Sequence, residues 1–182
     1  MTENMEKPEV ISTEEIYKGK IFDVYTAKIR HGEAEYKREI VRHKGSAVIV
    51  PVFADKTIAL IRQYRYAVGE FLLEIPAGRL DDDETPEIAA ARELEEEIGV
   101  KADRIEKLTE FYVSPGFLTE KMYVFLATGL REGEQNLEVD EILVIEKLTF
   151  PEAFEKIRSG EIQDAKSIVG LIFAGERFGF RF

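Results

Sequence analysis

The stretch of sequence that decides the fold is Gly78-Arg-Leu-Asp-Asp-Asp-Glu-Thr-Pro-Glu-Ile-Ala-Ala-Ala-Arg-Glu-Leu-Glu-Glu-Glu-Ile-Gly-Val100. Thr85 is a good N-cap residue, because its hydroxyl can accept a hydrogen bond from a backbone N–H of the first turn. Pro86 suits the first helical position, and Gly99 suits the left-handed conformation in which many helices end. These three residues predict a helix over 85–98.

The predicted helix is two-sided. At about 100° per residue, one side collects four apolar residues, namely Ile88, Ala91, Leu94 and Ile98. Nearly the opposite side collects three carboxylates, Glu93, Glu96 and Glu97. We predict that the apolar side is buried and that the carboxylate side is exposed.

Three acids on one face favour a metal site. Glu93 and Glu97 stand at i and i+4, where like charges repel by a few tenths of a kcal/mol, and Arg92 and Lys101 can offset this only at the edges. Carboxylate oxygens are the ligands that Mg²⁺ and Mn²⁺ prefer. The glycine in Pro76-Ala77-Gly78 lets backbone approach this face closely. A solvated acidic face is the alternative interpretation.

Composition removes several classes of function. The chain has 182 residues, which favours one domain with a small appendage. Its net charge of −11 argues against binding to nucleic acid or to an anionic membrane. The absence of cysteine excludes disulfides and thiolate sites, and two histidines are too few for a histidine-rich metal site. Without a signal peptide or an apolar run of about 18 residues, we expect a cytoplasmic protein.

The chain pattern predicts a small N-terminal subdomain followed by a larger domain. Residues 1–15 are polar and are expected to be loose, and residues 16–41 read as two or three short antiparallel strands. The composition changes near His43, so we predict a subdomain over 1–43 and a main domain over 44–182. So few short strands are marginal alone, and we therefore expect this subdomain to build a homodimer.

The main domain alternates strands with helices. Apolar runs at 47–53 and 57–61 predict a buried hairpin. Further strands are predicted at 71–75, 108–113, 121–128 and 142–148, and helices at 150–158 and 165–178. This order predicts an α/β fold with a mixed sheet and helices on both faces.

The acidic segment resembles the Nudix box, the signature of hydrolases of nucleoside diphosphates linked to another moiety. Gly78, Glu84 and the run Arg92-Glu93-Leu94-Glu95-Glu96-Glu97-Ile98-Gly99-Val100 match every fixed position of that pattern. The resemblance implies an α/β/α sandwich around a mixed sheet. It also implies that Mg²⁺ or Mn²⁺ is bound by Glu93, Glu96, Glu97 and the backbone carbonyl of Ala77. Arg92 is expected to orient the glutamates rather than to touch substrate.

Three further segments resemble the ADP-ribose pyrophosphatases and related nucleotide-sugar hydrolases. They are 38–45, the pair 63–66 and 73–78, and Ser114-Pro115-Gly116. The resemblance implies that Arg65 contacts the diphosphate and that Arg38 and Glu39 meet the adenine or its ribose. It also implies a dimer whose N-terminal strands pair or swap. The alternatives are surface salt bridges for the two arginines and an ordinary turn for the proline.

The same resemblance places the catalytic base on an acidic loop after the box. Here that loop is residues 134–141, and alignment of the following strand makes Glu138 or Glu141 the base. Glu138 is slightly favoured because it lies farther from the strand, and the second acid is then a metal or supporting ligand. We expect the loop to be mobile until substrate binds.

Other functions stay open at this level. The nearest alternative is hydrolysis of another nucleotide sugar, such as GDP-mannose or a UDP-sugar. A second is a Nudix-fold protein that senses a nucleotide without cleaving it, although the intact box argues against this. A third is an acidic structural domain without a ligand. ADP-ribose as substrate would give AMP and ribose 5-phosphate.

Overall fold

The computed structural model describes residues 6–137, 139 and 141–182. These residues form two compact units. The first contains residues up to 45 together with 112–121, and the second contains 46–111 and 122–182. The predicted division at residue 43 and the predicted dimer stay predictions.

The first unit is built on a three-stranded antiparallel sheet in the order β1-β2-β3. Its strands are β1 (Glu9–Lys18), β2 (Asp23–His31) and β3 (Ala34–Arg42). The segment 112–121 joins through hydrogen bonds on both sides of Val41, which donates to Phe117 and accepts from Thr119. The expectation of a loose start over 1–15 is wrong from Glu9 onward, because alternate backbone groups there pair with β2; residues 1–5 lie outside the described residues.

The described residues of the second unit form two sheets and three helices. Its strands are β4 (Ser46–Pro51), β5 (Thr57–Arg65), β6 (Glu70–Glu74), β7 (Ala77–Arg79), β8 (Val100–Tyr112), β9 (Lys121–Glu132) and β10 (Leu143–Thr149). Its helices are α1 (Pro86–Ile98), α2 (Phe150–Arg158) and α3 (Ala165–Arg177). One sheet has the order β7-β4-β9-β8 and is mixed, because β4 runs parallel to β9 and antiparallel to β7. The other, β10-β5-β6, is antiparallel.

The predicted hairpin of 47–53 and 57–61 is wrong as a pairing. A tight turn does connect the two strands, with the Phe53 N–H donating to the Thr57 carbonyl at 2.9 Å. The strands then enter different sheets and share a single bridge, Val52 with Ile58. β4 is buried along its whole length and takes β9 and β7 as neighbours, so its backbone groups are satisfied without β5.

Strand alternation divides the core of this unit into two layers. On β4, Ala47 and Ile49 pack with α1, whereas Val48 and Val50 pack with residues of α2 and α3. β9 follows the same period of two. Helices therefore cover opposite faces of the sheet layer, which confirms the predicted α/β/α sandwich around a mixed sheet.

The helices of the described residues include none that is both long and apolar enough to span a membrane. The cellular location stays a prediction.

Candidate active site

Helix α1 has the predicted ends. Thr85 accepts a hydrogen bond from the Ile88 N–H, and Gly99 ends the helix in the left-handed conformation with φ of 67°. The predicted faces need correction, since Ile88 is 58% exposed and Ala91 is also exposed. The buried face instead contains Ala89, Ala90, Glu93, Leu94, Glu97 and Ile98.

Glu93 and Glu97 are therefore buried, which contradicts the prediction that the carboxylate side of the helix is exposed. Glu93 is 8% and Glu97 is 1% exposed. The projection failed because it placed the acidic side in solvent, whereas the chain segment before the helix folds over it. In the structure, the Ala77 N–H donates to Oε2 of Glu97 at 2.9 Å.

Gly78 makes this close packing sterically feasible. A Cβ atom at this position would lie 1.8 Å from Oε1 of Glu93, far inside any real contact distance. Any other residue here would force the Glu93 carboxylate out of its observed position, which gives a physical reason for glycine at the entry to the helix. The backbone of 77–78 and the carboxylates of Glu93 and Glu97 thus form one compact surface, which we call the acidic surface.

Burial perturbs both carboxylates strongly. It raises the pKa of Glu93 to about 7, with smaller contributions from the charges of Glu96 and Glu141 and an opposing one from Arg92. It raises the pKa of Glu97 well above its usual value, reinforced by Glu93 and Glu141 and opposed by the Ala77 N–H and Arg65. Burial disfavours the charged form of an acid, so both groups are poised to take up a proton or a cation.

Arg92 contacts three acids in and beside this surface. Its Nη1 donates to Glu93 at 2.6 Å and to Glu96 at 2.8 Å. Its other nitrogens donate to both carboxylate oxygens of Glu84 at 3.0 Å. These bonds hold the pKa of Glu84 below its usual value. Arg92 therefore orients the acids of the segment, in the role that the sequence suggested.

The donor set suits a hard divalent cation. In the described part of the chain no group of three or more acidic or histidine side chains is arranged to hold a metal ion. The chemistry nevertheless fits, because Glu93 and Glu97 are buried carboxylates with raised pKa values that lie against the backbone of 77–78. An oxygen-only set of this kind is what Mg²⁺ and Mn²⁺ bind.

A second buried ionic group, which sequence reasoning missed, lies in the same unit. Glu74 is 1% exposed and accepts from Arg65 through Nε at 2.9 Å and Nη2 at 2.6 Å. Lys166 on α3 donates to the same carboxylate and also pairs with Asp164 at 2.9 Å. We call Arg65, Glu74, Asp164 and Lys166 the compensated network. A lone acid in the apolar run Leu73-Glu74-Ile75 was the signal that could have revealed it.

The compensated network interacts electrostatically with the acidic surface through Arg65. The charge of Glu97 contributes to the raised pKa of Arg65, and the charge of Arg65 in turn opposes the rise at Glu97. Arg65 was expected to bind a diphosphate. In the structure its Nε and Nη2 are engaged by Glu74, and the predicted contact itself is untested.

The first residues of the acidic loop, 134–141, are held to the end of α1 by hydrogen bonds. Gln135 donates from its side chain to the Glu97 carbonyl at 2.7 Å, and the Asn136 N–H donates to the Glu96 carbonyl at 3.0 Å. These bonds satisfy carbonyls at the end of α1 that have no partner inside the helix. Of the two base candidates, Glu141 acts electrostatically on Glu93 and Glu97, and Glu138 lies outside the described residues.

Arg38 and Glu39 lie in the first unit, on β3. Both are exposed, and the guanidinium of Arg38 stacks 4.5 Å from the centre of the Tyr36 ring. Glu39 stands opposite Thr26 on β2. Their predicted contact with a base or ribose is untested.

Comparison with known proteins identifies the family. The chain matches the NUDIX domain over residues 43–168. It belongs to the Nudix family. It is 39% identical over 161 residues to an ADP-ribose pyrophosphatase of Bacillus subtilis (strain 168), covering 86% of each chain. It is 38% identical over 148 residues to a GDP-mannose pyrophosphatase of Cronobacter sakazakii, covering 72% of this chain and 77% of that one.

A solved structure supports the same fold. A crystal structure of an ADP compounds hydrolase superposes with a TM-score of 0.84, covering 98% of this chain and 97% of that one. At 21% identity, that likeness shows the fold alone. The domain match and the two pyrophosphatase relatives identify the protein as a Nudix pyrophosphatase. The Nudix family typically uses divalent metal ions.

Proposed function

We propose that this Nudix pyrophosphatase hydrolyses the diphosphate bond of ADP-ribose to AMP and ribose 5-phosphate, with Mg²⁺ or Mn²⁺ as cofactor. The observation that carries the proposal is the pair of buried, charge-perturbed carboxylates Glu93 and Glu97, held against the backbone of 77–78. The similarity to an ADP-ribose pyrophosphatase over 86% of the chain supports the substrate.

Glu93, Glu96, Glu97 and the Ala77 carbonyl would hold the cation. When bound, a divalent cation neutralises diphosphate charge and lowers the pKa of a bound water. The chain prepares for this because Glu97 is already fixed by the Ala77 N–H and Arg92 already holds Glu93 and Glu96. At a net charge of −11, an anionic substrate needs such local compensation.

Arg65 is the proposed diphosphate-binding side chain. Glu74 engages two of its three guanidinium nitrogens, so Nη1 can donate to a phosphate oxygen. The side chain is 35% exposed and is therefore accessible to a ligand. Charge-assisted hydrogen bonds from arginine are among the strongest that a phosphate can receive.

The general base is proposed to be Glu138 or Glu141. Its task is to take a proton from the water that attacks phosphorus, after which the AMP and ribose 5-phosphate groups separate. The electrostatic effect of Glu141 on Glu93 and Glu97 supports a place beside the acidic surface. Arg38 and Glu39 are proposed to meet the adenosine part of the substrate in a homodimer built on residues 1–43.

One experiment separates the candidate functions. ADP-ribose, GDP-mannose and a UDP-sugar are each incubated with the protein and Mg²⁺, and the released nucleoside monophosphate is measured. A Glu97→Gln preparation serves as a blank for contaminating phosphohydrolases. The highest kcat/KM is expected with ADP-ribose. A preference for GDP-mannose would keep the chemistry and overturn the substrate, and release from none would indicate a binding protein.

A further inference from the structure

Lys166 is a buried lysine that the proposed reaction has not used. It lies in the first turn of α3 and is 7% exposed. Lysine is almost never buried without ionic partners. Here the partners are Glu74 and Asp164, so the side chain connects the start of α3 with the end of β6.

Glu74 is the shared centre of two cations. Its Oε1 accepts from Arg65 Nε, and its Oε2 accepts from both Arg65 Nη2 and Lys166 Nζ. Three hydrogen bonds spread over both oxygens hold the position and the plane of this carboxylate. The plane of Glu74 in turn fixes the plane of the Arg65 guanidinium, because the two groups meet through two parallel bonds.

Lys166 leaves the charge of Arg65 less neutralised than a simple pair with Glu74 would. If Arg65 were the sole partner of Glu74, the carboxylate would cancel its charge. Lys166 supplies a second positive charge to Glu74. Asp164 limits this supply, because its Oδ2 also pairs with Lys166 while accepting from the N–H and hydroxyl of Ser167. The sharing of Lys166 between Glu74 and Asp164 therefore sets how far Glu74 offsets the positive potential of Arg65.

The same turn of α3 holds the strand that leads to the acidic surface. The hydroxyl of Ser167 accepts from the Ile75 N–H at 2.9 Å. Ile75 is two residues before Ala77, whose N–H binds Glu97. The first turn of α3 thus supports both Arg65 and the backbone beside Glu97.

We propose that Lys166 is a positioning residue that acts through Glu74: it orients Arg65 and limits how far Glu74 offsets the positive potential that Arg65 presents to a bound diphosphate. The consequence for catalysis rests on the proposed function. The consequence for the geometry and dynamics of Arg65 does not, and it can be measured without turnover.

The test compares Lys166→Met, Lys166→Arg and the matched control Lys156→Met, since Lys156 pairs with Glu161 on the surface. The Nε–H signal of Arg65 is followed by ¹⁵N NMR, together with kcat and KM for ADP-ribose. In Lys166→Met we expect faster exchange of that N–H and a KM raised about 10-fold, with kcat changed much less. Lys166→Arg is expected to restore both readouts in large part, and Lys156→Met to leave them unchanged.

A second pair of variants checks the pathway and covers poor folding of Lys166→Met. Asp164→Asn keeps a good N-cap but removes the competing charge, so KM is expected to stay the same or fall. Combining Lys166→Met with Arg65→Met is expected to raise KM no further than Arg65→Met alone.

The outcomes separate the two proposals. Unchanged Arg65 exchange and KM in Lys166→Met, with only a lower Tm, would show that Lys166 is structural and would overturn the inference. A rise in KM for Asp164→Asn would do the same. If wild-type protein and Lys156→Met both fail to hydrolyse ADP-ribose, the proposed function fails, and the NMR exchange alone decides the role of Lys166.

Discussion

Glu97 and Glu74 have the same exposure and opposite electrostatics. Each is 1% exposed. Burial raises the pKa of Glu97 well above its usual value, whereas at Glu74 the opposing effect of Arg65 and Lys166 outweighs burial and lowers the pKa. Burial of an acid therefore does not mark a functional site. A buried acid without enough cations marks a candidate site, because a proton or a bound cation has to supply the missing charge.

The largest expected effect concerns the acidic surface. Glu97→Gln and Glu93→Gln are each expected to reduce kcat/KM for ADP-ribose by about 10³-fold or more, since a bound cation contributes several kcal/mol to a reaction of this kind. The reduction in kcat/KM is measured from the steady-state release of AMP at saturating Mg²⁺.

Glu95→Gln is the matched control on the same helix. Glu95 occupies a variable position of the box and pairs with Lys101 at 3.0 Å. Its activity is expected to be close to wild type. If Glu95→Gln and Glu97→Gln lost activity equally, the special role of the buried pair would be wrong.

Replacing the general base is expected to have the next largest effect. Replacing it should lower kcat by roughly 10²–10⁴-fold with little change in substrate affinity, as is typical of lost general-base catalysis. Glu138→Gln and Glu141→Gln are measured side by side, and the greater loss is expected for Glu138→Gln. Near-wild-type kcat in both variants would exclude both residues and would direct the search for the base to the box.

The same substitution should have opposite effects on stability in the two regions. Glu74→Gln leaves Arg65 and Lys166 without their shared carboxylate and is expected to lower the free energy of unfolding by about 3–5 kcal/mol. Glu97→Gln removes an uncompensated charge while its amide oxygen can still accept from Ala77. It is expected to preserve or raise metal-free stability at pH 8. Urea unfolding of both variants without metal compares them, and losses of equal size would contradict the contrast.

The pH dependence of stability gives a smaller effect with a definite sign. Glu93 has a pKa of about 7 in the folded protein, well above the ordinary glutamate pKa of about 4.3. Its titration therefore contributes fully to metal-free stability only when the pH is below that ordinary pKa. That contribution is lost as pH rises through 7. We expect the difference in Tm, Glu93→Gln minus wild type, to grow in favour of the variant between about pH 5 and 8. If the Tm values of wild type and Glu93→Gln changed equally with pH over this range, burial would not perturb the pKa of Glu93.

The local features of the candidate site were predictable from the sequence, whereas its long-range contacts were not. Thr85, Pro86 and Gly99 set the ends of α1 through backbone hydrogen bonds within a few residues. The burial of Glu97 depends on a segment 20 residues away, and the contact of Lys166 with Glu74 spans 92 residues. Such partners are chosen by the packing of sheets and helices, which helical periodicity does not describe.

The separation of β4 from β5 has the same physical origin. Both runs are apolar and a tight turn joins them, so local pattern favours a hairpin. The actual partner of β4 is β9, more than 70 residues further along the chain. A fully buried strand with apolar residues on both faces is typical of the interior of a mixed sheet covered by helices, and that was the available signal.

Proton release on metal binding tests the central claim most directly. Mg²⁺ is titrated calorimetrically into wild-type protein at pH 6.5 in two buffers with different ionisation enthalpies. Glu93 and Glu97 must lose their protons to bind a cation, so we predict release on the order of one proton per Mg²⁺, an affinity that rises with pH, and loss of binding in Glu97→Gln but not in Glu95→Gln. Heats that are the same in both buffers, or undiminished binding in Glu97→Gln, would contradict the account.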